Sequence, residues 1–472
     1  MAYPGNVEYL LNRAEKRRQR KLAKKSRRLA PIGGQPTGNA PDIQQALDLA
    51  VHHHKAGDLP KAEGIYQQIL QADPSQPVAL HLLGVIAHQV GKHDTAVDLI
   101  TKALAIKPDF AEAHNNLGNV LKERGNLDEA VASFHKALAI QPDYAEAHYN
   151  LGNALTELGR IDEAVASYHK ALTIKPDYLE AHSNLGNALQ NLERLDEAVA
   201  SYHKALAIKP DCAEAHNNLG IVLQELGRPD EALKSYRHAL DIDPGLQYAR
   251  HLISSISGET TDIAPEEYIR KLFDDYAPRF DDHLTNALGY KIPTLMRQAV
   301  DTVPEVPKTF PRVLDLGCGT GMVAENFRDM AGEIDGVDLS PKMLEQAEAK
   351  GAYANLHLAD VLDFLEGPDV RPAAYDLILS ADTFIYIGKL DGIFTAARRA
   401  LTDGGLFVFS VEHLEDGDFK LLPSGRYSQS DTYIEKLAAE SGFAVVCHDP
   451  VVVRIEKEVP IPARIFVLRA NV

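Results

Sequence analysis

Arg312-Val313-Leu314-Asp315-Leu316-Gly317-Cys318-Gly319-Thr320-Gly321 decides how the carboxyl-terminal part of this chain folds. β-favouring residues run into an acid, three glycines follow at alternate positions, and Met322-Val323-Ala324-Glu325-Asn326-Phe327 has helical character. This predicts a strand, a tight turn and a helix start. Side chains are missing where something must approach the backbone closely. Beyond it, strands are expected at 333–338, 356–359, 375–381 and 405–411, and helices at 321–330, 343–350 and 390–401. Such alternation is that of a doubly wound α/β sheet. Two last strand candidates, 444–453 and 464–468, joined by a short loop, predict an antiparallel pair closing the sheet.

Upstream the pattern is different. Pro74, Pro108, Pro142, Pro176, Pro210 and Pro244 fall 34 residues apart, in phase with Gly84, Gly118, Gly152, Gly186 and Gly220 and with a row of alanines from Ala62 to Ala232. An aromatic row joins them at Tyr66, Phe134, Tyr168, Tyr202 and Tyr236, with Ile100 breaking it, and Glu193 stands where other units have a turn glycine. This resembles the tetratricopeptide repeat, a helix–turn–helix unit that stacks into an α-solenoid. Small residues let paired helices approach, the aromatic fills the gap, and proline stops the second helix. The expected organisation is a basic tail at 1–40, six repeats with a capping helix at 41–257, a linker at 258–267 and the α/β domain at 268–472.

Two rows of asparagine, Asn116, Asn150, Asn184 and Asn218, and Asn119, Asn153 and Asn187, lie three residues apart on the first helices, hence on one face. Amides both donate and accept, so such a ladder can hold an extended peptide backbone. The resemblance is closest to the repeats of O-GlcNAc transferase, where a ladder of this kind grips protein substrates; the other reading is that these residues bridge neighbouring repeats. The histidines at 34-residue spacing are repeat consensus, and His52-His53-His54 cannot converge on one helix face, so no metal site is read there.

The charge of −18 over 472 residues is uneven. Residues 1–40 hold ten Lys/Arg against two Glu, a balance of +8, which leaves −26 to the rest. The body is therefore a poor partner for nucleic acid, whereas the tail is either solvated or contacts nucleic acid or another anionic surface. Three unpaired-looking cysteines, the lack of a secretory pattern and the lack of a transmembrane run predict a soluble, cytoplasmic protein.

In an open α/β sheet the ligand lies at the carboxyl ends of the strands. Asp315 before the first glycine would repel a pyrophosphate and suits a ligand bearing a cation, such as S-adenosylmethionine. Asp338, ending the second strand, can take both hydroxyls of a ribose, or else cap the helix that follows. Asp360 is placed for an adenine amino group, or else caps a turn. Together with Leu-Thr-Asp-Gly-Gly-Leu-Phe-Val-Phe-Ser at 401–410, these motifs resemble class I S-adenosylmethionine-dependent methyltransferases, whose fold is Rossmann-like. The resemblance implies that Asp315, Gly317, Cys318, Gly319 and Gly321 hold the methionine part, Asp338 the ribose, and Leu339, Met343, Asp360, Val361 and Ala381 the rest of the cofactor. It also implies an aromatic lid with Tyr276 and Phe280; an ordinary amphipathic helix is the alternative.

Acid–base candidates at the fourth and fifth strand ends are Asp382, Tyr386, Glu412 and His413. Arg426 and Tyr427, in a polar insert at 424–430, are candidates for the acceptor. Repeats and sheet together resemble a bacterial family of methyltransferases with tetratricopeptide repeats. That implies methyl transfer to an acceptor recruited by the repeats, a protein among the candidates. The alternatives are a small-molecule methyltransferase with scaffolding repeats and a non-catalytic repeat scaffold.

Overall fold

In the computed structural model, which describes residues 43–456 and 459–472, the chain forms two compact units, one ending at Ile208 and one spanning Lys209–Val472. The basic tail lies outside the described residues, and with it the contact expected of it. No helix among the described residues is long and apolar enough to cross a membrane.

The first unit is a run of helix pairs: Ile43–Lys55 with Leu59–Ala72, Pro77–Gln89 with His93–Ile106, Ala111–Glu123 with Leu127–Ile140, Ala145–Glu157 with Ile161–Ile174, and Leu179–Asn191 with Leu195–Ile208. The repeat chemistry explains each pair. A Cβ on Gly118 would stand 2.5 Å from the Phe134 ring, so only glycine lets the two helices meet there. Phe134 and Tyr168 are buried to within 1% in the gap thus filled. Second helices end at Ile106, Ile140 and Ile174, two residues before the proline.

The second unit opens with the sixth pair, Ala213–Glu225 with Pro229–Ile242, and the capping helix Gln247–Ser257. It continues into a sheet of nine strands: β1 (Phe310–Leu316), β2 (Ala331–Asp338), β3 (Asn355–Leu358), β4 (Tyr375–Ser380), β5 (Leu401–Leu414), β6 (Phe419–Leu421), β7 (Tyr427–Ser430), β8 (Phe443–Glu456) and β9 (Val459–Ala470). The order is β3-β2-β1-β4-β5-β7-β6, parallel from β3 to β5, while β9 runs antiparallel between β5 and β8. Strand side chains alternate between two cores. Leu314, Ile378, Phe407 and Phe409 pack on one face, and Val313, Leu377, Leu379 and Val408 on the other.

The differences from expectation have physical causes. The first crossover helix is Met322–Phe327 rather than 321–330, because Gly321 at φ 92° is its left-handed N-cap and β2 already starts at Ala331. The region read as a polar insert contains β7, whose four residues are all buried. Part of its polarity is satisfied inside: Gln429 Nε2 donates to the carbonyls of Phe384 (3.0 Å) and Ile387 (2.8 Å), while Gln429 Oε1 and Ser428 Oγ are buried with no hydrogen-bond partner. A helix at Asp431–Glu440 follows it, and another at Ile292–Asp301 precedes β1.

Candidate functional site

β1 and β2 bring two carboxylates to the same end of the sheet. Asp315 is fully buried, and the Tyr353 hydroxyl donates to its Oδ2 at 2.7 Å. Oδ1 is buried with no hydrogen-bond partner. Burial pushes the carboxyl up to about 7, against the pull of the Tyr353 hydrogen bond. A buried carboxylate oxygen without a donor is costly, and a cationic N–H group is the partner it fits.

The turn between β1 and its helix is built for close approach. Gly317, Gly319 and Gly321 have φ of 69°, 52° and 92°, the left-handed region. At Gly317 a Cβ would lie 2.1 Å from Thr383 Oγ1, and Thr383 in turn donates to the Leu316 carbonyl at 2.9 Å. Cys318 is buried, which pushes its thiol well above the usual range.

Asp338 ties the turn to β2. Its Oδ2 accepts from the Gly319 N–H at 2.9 Å and its Oδ1 from the Ser340 N–H at 2.8 Å. Burial raises its pKa, and these N–H groups oppose the rise. The helix Pro341–Lys350 is capped by Ser340, whose Oγ accepts from Met343 N–H at 3.1 Å, so Asp338 is not its cap. Asp360 does cap a helix: Oδ1 accepts from Leu362 N–H at 2.7 Å and Asp363 N–H at 3.2 Å, at the start of Val361–Glu366. Met343 and Val361 are buried, while Leu339 and Ala381 are half-buried beside these strand ends.

The end of the helix Glu266–Tyr276 and the segment after it lie across this turn. Ser340 Oγ donates to Asp274 at 2.6 Å, the Thr320 hydroxyl donates to Asp281, and Lys350 pairs with Asp281 at 2.6 Å. A Cβ on Gly319 would be 3.9 Å from the Phe280 ring. Phe280 meets Tyr276 edge-on at 5.0 Å between centroids, and Phe273 meets both Phe280 (6.1 Å) and Tyr386 (5.4 Å). The hydroxyls of Tyr276 and Tyr386 are each pushed up to about 12 by burial.

Next to the turn, two residues past the end of β4, stands Asp382, a non-glycine residue at φ 54°. Left-handed strain of this kind persists where the surroundings over-determine it. Ser410 Oγ donates to Asp382 Oδ1 at 2.8 Å, and Arg454 lies 3.5 Å from Oδ2. Burial raises the Asp382 carboxyl and Arg454 opposes the rise. Arg454 also pairs with Glu412 and Glu456, and Arg426 with Glu412 (3.0 Å) and Glu456 (2.8 Å). Two guanidinium groups thus serve three carboxylates behind the site. Burial disfavours the Arg454 charge, but Asp382, Glu412 and Glu456 outweigh it and keep the group protonated.

Asp315, the glycine turn, Asp338, Phe280, Tyr276, Tyr386 and Asp382 therefore come together at one end of the sheet. His413 does not join them. It alternates with Glu412 on β5, and its Nδ1 is 3.3 Å from Asp431. Tyr427 is fully buried, with its hydroxyl bonded to Thr261 at 2.5 Å. Tyr353, Thr383, Arg454 and Tyr290, a half-buried phenol under the charges of Asp382, Arg454 and Asp315, were not apparent in the sequence.

Among the asparagines, Asn116 Nδ2 meets His81 (2.8 Å), Asn150 donates to Asn115 (3.0 Å) and Asn184 to Asn153 (2.9 Å), each reaching the preceding repeat. Tyr168 and Tyr202 donate to Asn153 and Asn187, whereas Phe134 offers Asn119 no hydroxyl. Asn218, in the second unit, is buried, and Asn217 donates to it at 3.4 Å.

A mixed sheet, parallel from β3 to β5, with a glycine turn and acids at its first two strand ends is the architecture of a doubly wound α/β domain. Residues 313–405 match the methyltransferase domain family, and segments between 47 and 244 match tetratricopeptide repeat families. This chain joins tetratricopeptide repeats to a methyltransferase domain. Among curated relatives, the malonyl-[acyl-carrier protein] O-methyltransferase of Geobacter sulfurreducens is 38% identical over 113 residues, 24% of this chain and 41% of the relative. Aklanonic acid methyltransferase DauC of a Streptomyces species is 25% identical over 166 residues, 34% of this chain and 73% of the relative. The crystal structure of MamA covers 34% of this chain and 95% of its own, at 26% identity and a TM-score of 0.33.

Proposed function

We propose that the protein is an S-adenosylmethionine-dependent methyltransferase whose repeats recruit its acceptor, a protein. The single observation behind the cofactor is the buried, unpartnered Oδ1 of Asp315 beside three side-chain-free positions. When bound, S-adenosylmethionine supplies an electrophilic methyl group on a sulfonium. Asp315 takes its ammonium, and the neighbouring Tyr353 hydroxyl keeps the carboxylate turned toward it. Asp338 takes the ribose hydroxyls, since each of its oxygens accepts one N–H and has a lone pair to spare. Asp360 has one oxygen engaged as a cap and the other available for the adenine amino group. Leu339, Met343, Val361, Cys318 and Ala381 form the apolar wall in this reading.

The residues of this chain provide positioning and dryness more than chemistry. Phe280 and Tyr276 exclude water over the turn. Asp382 and Tyr386 stand beside it, and the raised Asp382 carboxyl makes it the better proton acceptor of the two. His413 has no part, because it faces Asp431. Arg426 acts through Glu412 and Glu456 rather than on the acceptor. The half-exposed amides of Asn116, Asn119, Asn150, Asn153, Asn184 and Asn187 support a peptide groove, although several already bridge repeats. A cytoplasmic setting goes with the three free cysteines.

A second reading, a small-molecule methyltransferase with scaffolding repeats, is favoured by the close lid. Labelled cofactor separates them when label in an extract is sorted between protein and small molecules. Label confined to small molecules would sink the protein acceptor.

A further inference from the structure

The second repeat departs from the 34-residue pattern at a position that the cofactor site does not explain. His93 stands where the other repeats have Leu59, Leu127, Ile161, Leu195 and Pro229. It opens the helix His93–Ile106, one turn of chain after His88 in the last turn of Pro77–Gln89. His88 Nε2 is 2.7 Å from Glu123 Oε2, which ends the first helix of the next repeat. That contact is the regular bridge between repeats, made elsewhere by His54 with Gln89 and by Lys122 with Glu157, both at 3.0 Å.

His93 adds a third donor to the bridge. Its Nδ1 is buried with no hydrogen-bond partner and lies 3.9 Å from the same Glu123 oxygen. The donor atoms of all three residues are within 4.8 Å of one another. As packing, this exchange is a loss, since an apolar contact is replaced by a polar atom without a partner. As coordination it has a use.

We propose that His88, His93 and Glu123 form a site for a divalent cation of the zinc type. Two imidazoles and a carboxylate are borderline donors that suit Zn²⁺, Co²⁺ or Ni²⁺ over Mg²⁺ or Ca²⁺. A tetrahedral ion with bonds of about 2.0–2.1 Å needs donors about 3.3 Å apart. The 2.7 Å contact therefore opens and the 3.9 Å one closes. The side chains are 21%, 35% and 49% exposed, so the ion can enter and its fourth position holds water. The site clasps the turn of the second repeat to the first helix of the third.

The test uses untagged full-length protein, stripped with chelator and titrated with Zn²⁺ by calorimetry and with Co²⁺ by visible absorption. One site is expected, together with a Zn²⁺-dependent rise in melting temperature. His93→Leu restores the repeat's own residue and should weaken binding by at least about 10–100-fold, a loss that even an outer-shell change can cause. Glu123→Gln, which keeps the bridge to His88, should do the same. His52→Gln with His53→Gln should leave the affinity unchanged. Absence of binding by the wild type, unchanged affinity in His93→Leu, or loss on changing His52 and His53 instead overturns the proposal.

Discussion

Replacing Asp315 by asparagine keeps the oxygen that accepts from Tyr353 and removes the charge. A lost charge-assisted bond of about 2–3 kcal/mol corresponds to a roughly 30- to 150-fold weaker affinity for S-adenosylmethionine. The pH dependence has a definite sign. Because burial raises the folded carboxyl from 3.8 to about 7, the folded state keeps a proton that the unfolded state has released. Its contribution to stability is full below the unfolded value and is lost as pH rises through about 7. Asp315→Asn should therefore melt above the wild type at about pH 8, with the gap closing toward about pH 4. Cofactor affinity should rise with pH through about 7 in the wild type and stay flat in the variant.

Gly317→Ala meets Thr383 Oγ1 at 2.1 Å and a φ of 69°. We expect a loss of about 1–3 kcal/mol, partly recovered by adding Thr383→Ala. Asp315 and the glycines were legible because one short motif holds them. Tyr353, Tyr290 and Arg454 were not, because only the tertiary fold brings these scattered residues together, and no local pattern marks them.

At the scale of elements, the segment proposed as a lid is tied to the turn by Asp274 to Ser340 and by Asp281 to Thr320 and Lys350. Asp281→Ala should speed proteolysis within 266–287 and raise the cofactor's dissociation rate by about tenfold, matching roughly one lost charged hydrogen bond. Stopped-flow displacement and limited digestion read the two effects. Strand β7 shows where sequence patterning misleads: Tyr-Ser-Gln-Ser looks like a surface loop, yet all four residues are buried and the Gln429 amide N–H groups reach two backbone carbonyls. The repeat helices were legible because their period recurs, and one departure is open to test. Glu193 occupies a left-handed turn at φ 57° where Gly125 and Gly159 sit in other repeats. Glu193→Gly should stabilise by about 0.5–1 kcal/mol, the left-handed penalty less the entropy of glycine, which differential scanning calorimetry can resolve.

At the scale of the molecule, the sixth repeat pair and the capping helix fall in the same compact unit as the sheet. Gln247–Ser257 is built into the unit that carries the sheet: His251 Nε2 donates to the Gly425 carbonyl at 3.0 Å, and Tyr248 stacks on Tyr268 at 4.9 Å. The repeat period could not show this, since Tyr268 lies outside the repeats and Gly425 and Tyr427, which also meet the capping helix, lie more than 150 positions downstream. A chain begun at residue 258 should melt several degrees below one begun at 209, at about 2–4 °C per kcal/mol. The shorter cut would confuse lost recruitment with lost stability. The central claim is thus tested most directly by giving labelled S-adenosylmethionine and cell extract to the full chain and to residues 209–472, after matching both for cofactor affinity. The expected result is labelled protein with the full chain and none with residues 209–472. Equal protein labelling by both, or no protein labelled by either, would contradict recruitment of a protein acceptor by the repeats.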